Sequence, residues 1–181
     1  MNAERQLDPG ALGDHIDRLY RAAWSLCGSR EEAEDLVQET FERVLRRPRF
    51  LHSEDDLGYL LRVLRNTFYS QRRAAGRRPQ TVPLPDDVDL LIEDRSAPAA
   101  DSRIESAALY AAIARLPDDF RDALVAIDVV GLTYREAARA LRVREATITT
   151  RIHRARQRVS KDLLSENPGP TTPRASAARR P

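Results

Sequence analysis

Three arginines, Arg151, Arg154 and Arg158, recur at spacings of three and four residues, and Thr147 and Thr150 fall on the same side of a helical wheel. That face carries hydroxyls and guanidinium forks and no carboxylate. A guanidinium donates two parallel hydrogen bonds, to guanine O6 and N7 or to a phosphate. The chemistry on offer is recognition of duplex DNA rather than bond making. From Arg142 to Lys161 there are seven Lys or Arg residues and one acid, Glu145, an imbalance that favours a polyanion. A second basic group lies upstream. Arg62, Arg65, Asn66, Tyr69, Arg72 and Arg73 share one side of a helical pattern, with six arginines and no acid between Leu60 and Pro79. A ring that stacks, an amide that reads base edges and guanidinium groups that hold phosphates suit unpaired bases. Each face taken alone is equally compatible with a solvated, arginine-rich helix surface.

Catalytic constellations are missing from the sequence. His15, His52 and His153 are scattered, with no HxxxH or HExxH spacing, and there is no GxxxxGK, GxGxxG or GxSxG. The acids Glu31, Glu32, Glu34, Asp35 and Glu39 are spread along a helical pattern, which suits a docking surface better than a metal site. The expectation is a binding protein, not an enzyme, with no metal or cofactor. Cys27 is the single cysteine, so no internal disulfide forms. Trp24, Leu26 and Ala23 around it suggest a buried thiol. The opening MNAERQLDPG lacks a signal-peptide apolar core, and no apolar run approaches the roughly 18 residues of a membrane span. A soluble cytoplasmic protein, with no membrane contact, is expected.

The elements that position these faces are helices. Gly is scarce and strand-like alternation is absent. Residues 1–13 read as a flexible arm. A helix over 14–27 has Ile16, Leu19, Tyr20, Ala23, Trp24 and Cys27 on one side and stops at Gly28. Ser29 and Glu32 form a capping box for the next helix, Arg30 to about Arg47, whose apolar side is Ala33, Leu36, Val37, Phe41, Val44 and Leu45. Pro48 ends it. A third helix buries Leu57, Leu60, Leu61, Leu64 and Phe68 and breaks at Gly76. Residues 77–103 hold four prolines, many acids and a short apolar island, Val88 to Ile92; a flexible linker is expected over 79–103. From about Ile104 one helix runs to Pro117. A second, over 118–130, turns Phe120, Leu124, Ile127 and Val130 inward. Thr133 and Glu136 then cap a short Ala-rich helix, Tyr134 to Leu141. Leu141-Arg142-Val143 makes the turn, with Val143 its buried plug, and Ile148, Ile152, Ala155 and Val159 form the apolar stripe of the final helix. This is a helix-turn-helix pattern with its second helix sized for the major groove. Residues 165–181, rich in Pro, Ala and Arg, read as a disordered basic tail.

Both halves together resemble an extracytoplasmic-function (ECF) RNA polymerase sigma factor, the two-domain form of the bacterial sigma superfamily. EEAEDLVQETFERVLRRPRF followed by LGYLLRVLRNTFYSQRR is similar to sigma region 2, and ARLPDDFRDALVAIDVVGLTYREAARALRVREATITTRIHRARQRV is similar to region 4. The resemblance implies an all-α fold of two small helical domains, residues 14–78 and 104–164, joined by a flexible linker, the second a four-helix helix-turn-helix domain. It implies core RNA polymerase, promoter DNA and an anti-sigma factor as partners. Asp35, Gln38, Glu39 and Arg43 would dock on the β′ clamp. Arg62, Arg65, Asn66, Tyr69, Arg72 and Arg73 would meet the −10 element, and the loop 50–56 would receive a flipped base. Thr147, Thr150, Arg151, His153, Arg154 and Arg158 would read the −35 duplex, with a further contact to the β flap. The chain departs from the family at the start of the recognition helix. Arg144 stands where Pro is usual, and Thr149 where Lys or Arg is common. A stand-alone helix-turn-helix regulator would need a dimer seam or effector domain, which the N-terminal half does not offer. A protein-only adaptor that sequesters an anti-sigma factor would not need both arginine faces.

Overall fold

The computed structural model describes residues 5–6, 9–46, 50–51, 56–76 and 100–166. The expectations for the linker island and for the tail beyond 166 lie outside them, as does most of the expected base-receiving loop.

Among the described residues the fold is built from seven α-helices. The N-terminal half holds α1 (Ile16–Cys27), α2 (Arg30–Arg46) and α3 (Asp56–Ala75). A two-residue antiparallel ladder, β1 (Arg5–Gln6) with β2 (Phe50–Leu51), accompanies them. The C-terminal half holds α4 (Ala100–Ala114), α5 (Asp118–Leu124), α6 (Tyr134–Leu141) and α7 (Glu145–Glu166). Gly28 ends α1 in the left-handed region at φ +82°, its N–H donating to Trp24 O. The Ser29 hydroxyl accepts from Glu32 N at 3.4 Å and opens α2. Part of the stretch expected as an arm over 1–13 is ordered by packing. Residues Pro9–His15 form a 3-10 helix, because Leu12 is buried beside Leu19, Val44 and Leu60.

Helical periodicity selects the core. Leu19, Leu36, Leu60 and Leu64 are wholly buried in the N-terminal half, as are Ile148 and Ile152 in the C-terminal half. Each contributes about 1.5–3 kcal/mol of apolar burial. Two expected core residues are not in the core: Ile16 is 47% exposed and Leu45 50% exposed. The stripe of α2 runs through Ala33, Leu36, Val37, Thr40 and Val44, and Leu45 lies a hundred degrees off it. Thr40 can be buried because its hydroxyl donates to Leu36 O at 2.7 Å; Ser25 and Thr67 are satisfied in the same way by Arg21 O and Val63 O.

The two halves do not sit apart. A single apolar cluster runs from Ala22, Trp24 and Leu26 through Leu61, Leu64 and Phe68 to Leu116, Leu124 and Ile152. Trp24 of α1 stacks on Tyr110 of α4 with ring centroids 4.2 Å apart. Gly28 faces Ala114 so closely that an added Cβ would stand 3.1 Å from the alanine Cβ.

One helix was expected over 118–130. The structure has α5 followed by a π-helical stretch, Val125–Val129, with Val130 N donating to Val125 O at 2.9 Å. The wider turn rotates the inward face. Val125 and Ala126 become buried and Ile127 is left half-buried.

Candidate nucleic-acid interface

The first helix of the helix-turn-helix unit, α6, is capped at both ends. Glu136 N donates to the Thr133 hydroxyl at 3.3 Å, and Thr133 N donates back to the Glu136 carboxylate at 2.8 Å. The hydrogen bonds from Thr133 hold the Glu136 carboxyl below its ordinary range. At the other end of α6, Arg142 N donates to Arg139 O and Val143 N to Ala138 O, a Schellman pair. Arg142 adopts φ +56° there, a left-handed conformation that glycine normally supplies. Leu141 is the last residue of α6, as expected, and Val143 is half-buried rather than a full plug.

Ile148, Ile152, Ala155 and Val159 anchor α7, as the stripe predicts. The expected −35 residues then divide. Thr150, His153 and Arg154 are exposed, and Thr147 is half-buried beside them. The Thr150 hydroxyl donates back to Ala146 O at 3.1 Å, which leaves its lone pairs and methyl outward. Arg151 turns aside. Its guanidinium donates to Asp119 on α5 at 2.6 Å, and its side chain is only 21% exposed. Arg158 lies over the Phe120 ring at 4.6 Å. Both have been drawn toward α5, because that helix packs along α7 and presents an acid and a ring. Gln157, which sequence reasoning passed over, is exposed and bonded to His153 at 3.1 Å. It lies one turn beyond His153 and Arg154, and that spacing was its only signal.

The expected −10 residues share α3 but do not face solvent together. Arg65 Nε donates to Asp122 Oδ2 of α5 at 2.5 Å, and Tyr69 OH donates to Oδ1 of the same carboxylate at 3.0 Å. Arg62 donates from Nε to Ala140 O at 3.2 Å and from Nη2 to Arg139 O at 3.1 Å. These are last-turn carbonyls of α6, at the negative end of the helix dipole. Arg72 pairs with Asp118 at 3.6 Å. Asn66 is exposed, and Arg73 donates to Ser70 at 3.1 Å. Burial pushes the Asp122 carboxyl above its ordinary range, and the Arg65 guanidinium pulls it back only in part. Burial, reinforced by the charge on Asp122, raises the Tyr69 phenol to about 12. Asp118, Asp119, Arg121 and Asp122, all on α5, were not singled out from the sequence. Three acids within five residues were the available signal.

On the acidic side of α2, Asp35 and Gln38 are exposed. Glu39 is held on both oxygens, by Arg43 at 2.5 Å and by Gln71 of α3 at 2.5 Å. Cys27 is half-buried at the α1 terminus, and burial raises its thiol to about 12. Among the described residues no helix is long and apolar enough to cross a membrane.

Residues 12–78 match the family described as Sigma-70 region 2, and residues 106–159 match Sigma-70, region 4. The chain is 39% identical over 160 residues to the ECF RNA polymerase sigma factor SigE of Mycolicibacterium smegmatis, a match covering 87% of this chain and 61% of that one. The chain thus spans about three-fifths of the length of that relative. It is 31% identical over 150 residues to the ECF RNA polymerase sigma factor SigM of Bacillus subtilis, covering 80% of this chain and 88% of that one. Among solved structures, the sigma factor RpoE of Bartonella quintana, in complex with the anti-sigma factor NepR, superposes with a TM-score of 0.63 at 26% identity, covering 85% of this chain and 94% of that one.

Proposed function

The chain belongs to the ECF family of RNA polymerase sigma factors, and we propose that it brings core polymerase to promoters by binding the −35 element as duplex and the −10 element as separated strands. The observation that carries this reading is a capped helix-turn-helix whose α7 offers Thr150, His153, Arg154 and Gln157 to solvent, on one chain with a region 2 bundle. Hydroxyl, imidazole, amide and guanidinium groups read donor and acceptor patterns in the major groove. Thr147 flanks that centre, and Arg151 and Arg158 reach phosphates once Asp119 and the Phe120 ring let them go. Arg62, Arg65, Asn66, Tyr69, Arg72 and Arg73 hold the opened −10 strand, and capture of unstacked bases offsets an unstacking cost of about a few kcal/mol per step. Asp35 and Gln38 are the exposed centre of the polymerase-docking patch, with Glu39 and Arg43 beside them. The protein performs no bond chemistry itself; polymerase does. It works in the cytoplasm, with the nucleoid, and an anti-sigma factor is its natural inhibitor. Run-off transcription with purified core polymerase on genomic fragments tests the reading. Discrete transcripts that need the protein are expected; transcripts no different from core enzyme alone would refute it.

A further inference from the structure

Four of the six residues proposed to hold the −10 strand are engaged with the C-terminal half, while Asn66 is exposed and Arg73 turns to Ser70 of its own helix. Arg65 and Tyr69 share the Asp122 carboxylate, Arg62 is spent on the α6 carbonyls, and Arg72 pairs with Asp118. The acceptors of these four all come from the C-terminal half. They are carboxylates and helix-end carbonyls, which, like a phosphate, accept hydrogen bonds and carry negative charge or the negative end of a dipole. The same N–H and O–H groups cannot serve DNA at the same time. The face of α7 that would read duplex is open by contrast, with Thr150, His153 and Arg154 exposed.

We infer that this arrangement is a closed state in which Asp122 latches the −10 face shut and leaves the −35 face available, so that the free protein meets duplex before it can hold single strands. The inference rests on the sigma reading and concerns how the −10 face is regulated. Asp122 suits a latch because it is 4% exposed and reaches α3 with both oxygens. Its neighbour Arg121, 3% exposed, braces it by donating to Tyr69 OH at 3.2 Å and to Ala114 O at 2.8 Å. The bracing is incomplete, since Arg121 Nε is buried with no hydrogen-bond partner. A buried donor left unmade costs stability, and that makes the closed form easier to open. Between Ala75 and Ala100 lie 24 residues, which at full extension reach on the order of 80 Å, so the covalent connection permits separation. Opening uncovers the Trp24–Tyr110 stack and Phe68, an apolar surface that the open form must cover against polymerase.

The test measures binding of a fluorescein-labelled, short single-stranded DNA of mixed sequence by anisotropy, in the full-length protein without polymerase. Labels at Gln38→Cys and Lys161→Cys in a Cys27→Ser background report the separation of the halves. Asp122→Ala should lengthen that distance and tighten single-strand binding by about ten-fold or more, because the apparent affinity scales with the fraction of open molecules. Adding Arg65→Ala should cancel the gain in affinity while the halves stay apart. An unchanged distance and affinity in a folded Asp122→Ala protein would overturn the latch. So would a gain that persists without Arg65, since removal of a negative charge alone would then explain it. If Asp122→Ala does not fold, Asp122→Asn, the same shape without the charge, replaces it with the same two outcomes. Run-off transcription by the wild-type protein judges the sigma reading separately. The latch stands or falls on the anisotropy and the distance, whichever way that assay goes.

Discussion

Asp35 and Glu39 lie one turn apart on the acidic side of α2, yet the structure assigns them different loads, and charge reversal at each position should separate docking from stability. Glu39→Lys removes the ion pair with Arg43, worth about 0.3–0.5 kcal/mol for an exposed i,i+4 pair, and sets two cations against each other at a similar cost. It also removes the acceptor for Gln71 on α3, worth about 0.5–1 kcal/mol at an exposed site. The sum is about 1–2 kcal/mol, which in a cooperative unit of this size lowers Tm by roughly 3–6 °C. Asp35 is exposed and has no ion pair among the described residues, so Asp35→Lys should change stability by less than about 0.5 kcal/mol. Lys is a good helix former, so α2 persists. If the acidic patch docks on polymerase, Asp35→Lys should weaken core binding by about ten-fold or more, about 1.4 kcal/mol, with Tm unchanged. The assay is core-enzyme pull-down beside thermal melting by circular dichroism. Undiminished core binding by folded Asp35→Lys would remove the docking assignment. A wild-type Tm in Glu39→Lys would show that the Gln71 and Arg43 contacts contribute nothing.

Arg154→Ala should weaken holoenzyme binding to −35 duplex by about 1–3 kcal/mol while fork DNA carrying an opened −10 is still bound; Arg151→Ala should have a smaller effect, because Asp119 already holds that side chain. Gel shifts on matched duplexes distinguish the two. Thr133→Ala should cost about 1 kcal/mol through loss of the α6 cap, read by thermal melting. Its partner Glu136 has a folded value depressed below 4.5, so its stabilisation is present above that pH and lost as pH falls through the depressed value. The Tm gap between wild type and Glu136→Gln should therefore shrink as pH falls below the ordinary carboxylate range. Arg142→Gly should raise stability by about 1 kcal/mol, since it relieves the left-handed strain at the turn; an unchanged or lower Tm would show that the Arg142 side chain offsets that strain.

Periodicity and punctuation in the chain determine the helices and their inward faces. The stripe Ile148, Ile152, Ala155 and Val159 is buried as a 3.6-residue repeat requires, and the signals at Gly28, Ser29 and Thr133 act within a few residues of themselves. The two motif sets, in order, carried the family as well. Tertiary structure decided which of the polar residues are free. Arg151 and Arg154 are the same residue type on the same helix, and only the position of Asp119 on α5 separates a tethered guanidinium from an exposed one. Arg65 and Tyr69 meet Asp122 more than fifty residues away in the chain, and no local pattern encodes that meeting. The π-helical turn after Leu124 likewise answers to packing, as it brings Val125 and Ala126 into the core where an unbroken α-helix would present Ile127. Helical faces follow from backbone geometry and the hydrophobic effect, both local in sequence, whereas the pairing of charged side chains depends on which surfaces the shared core brings together.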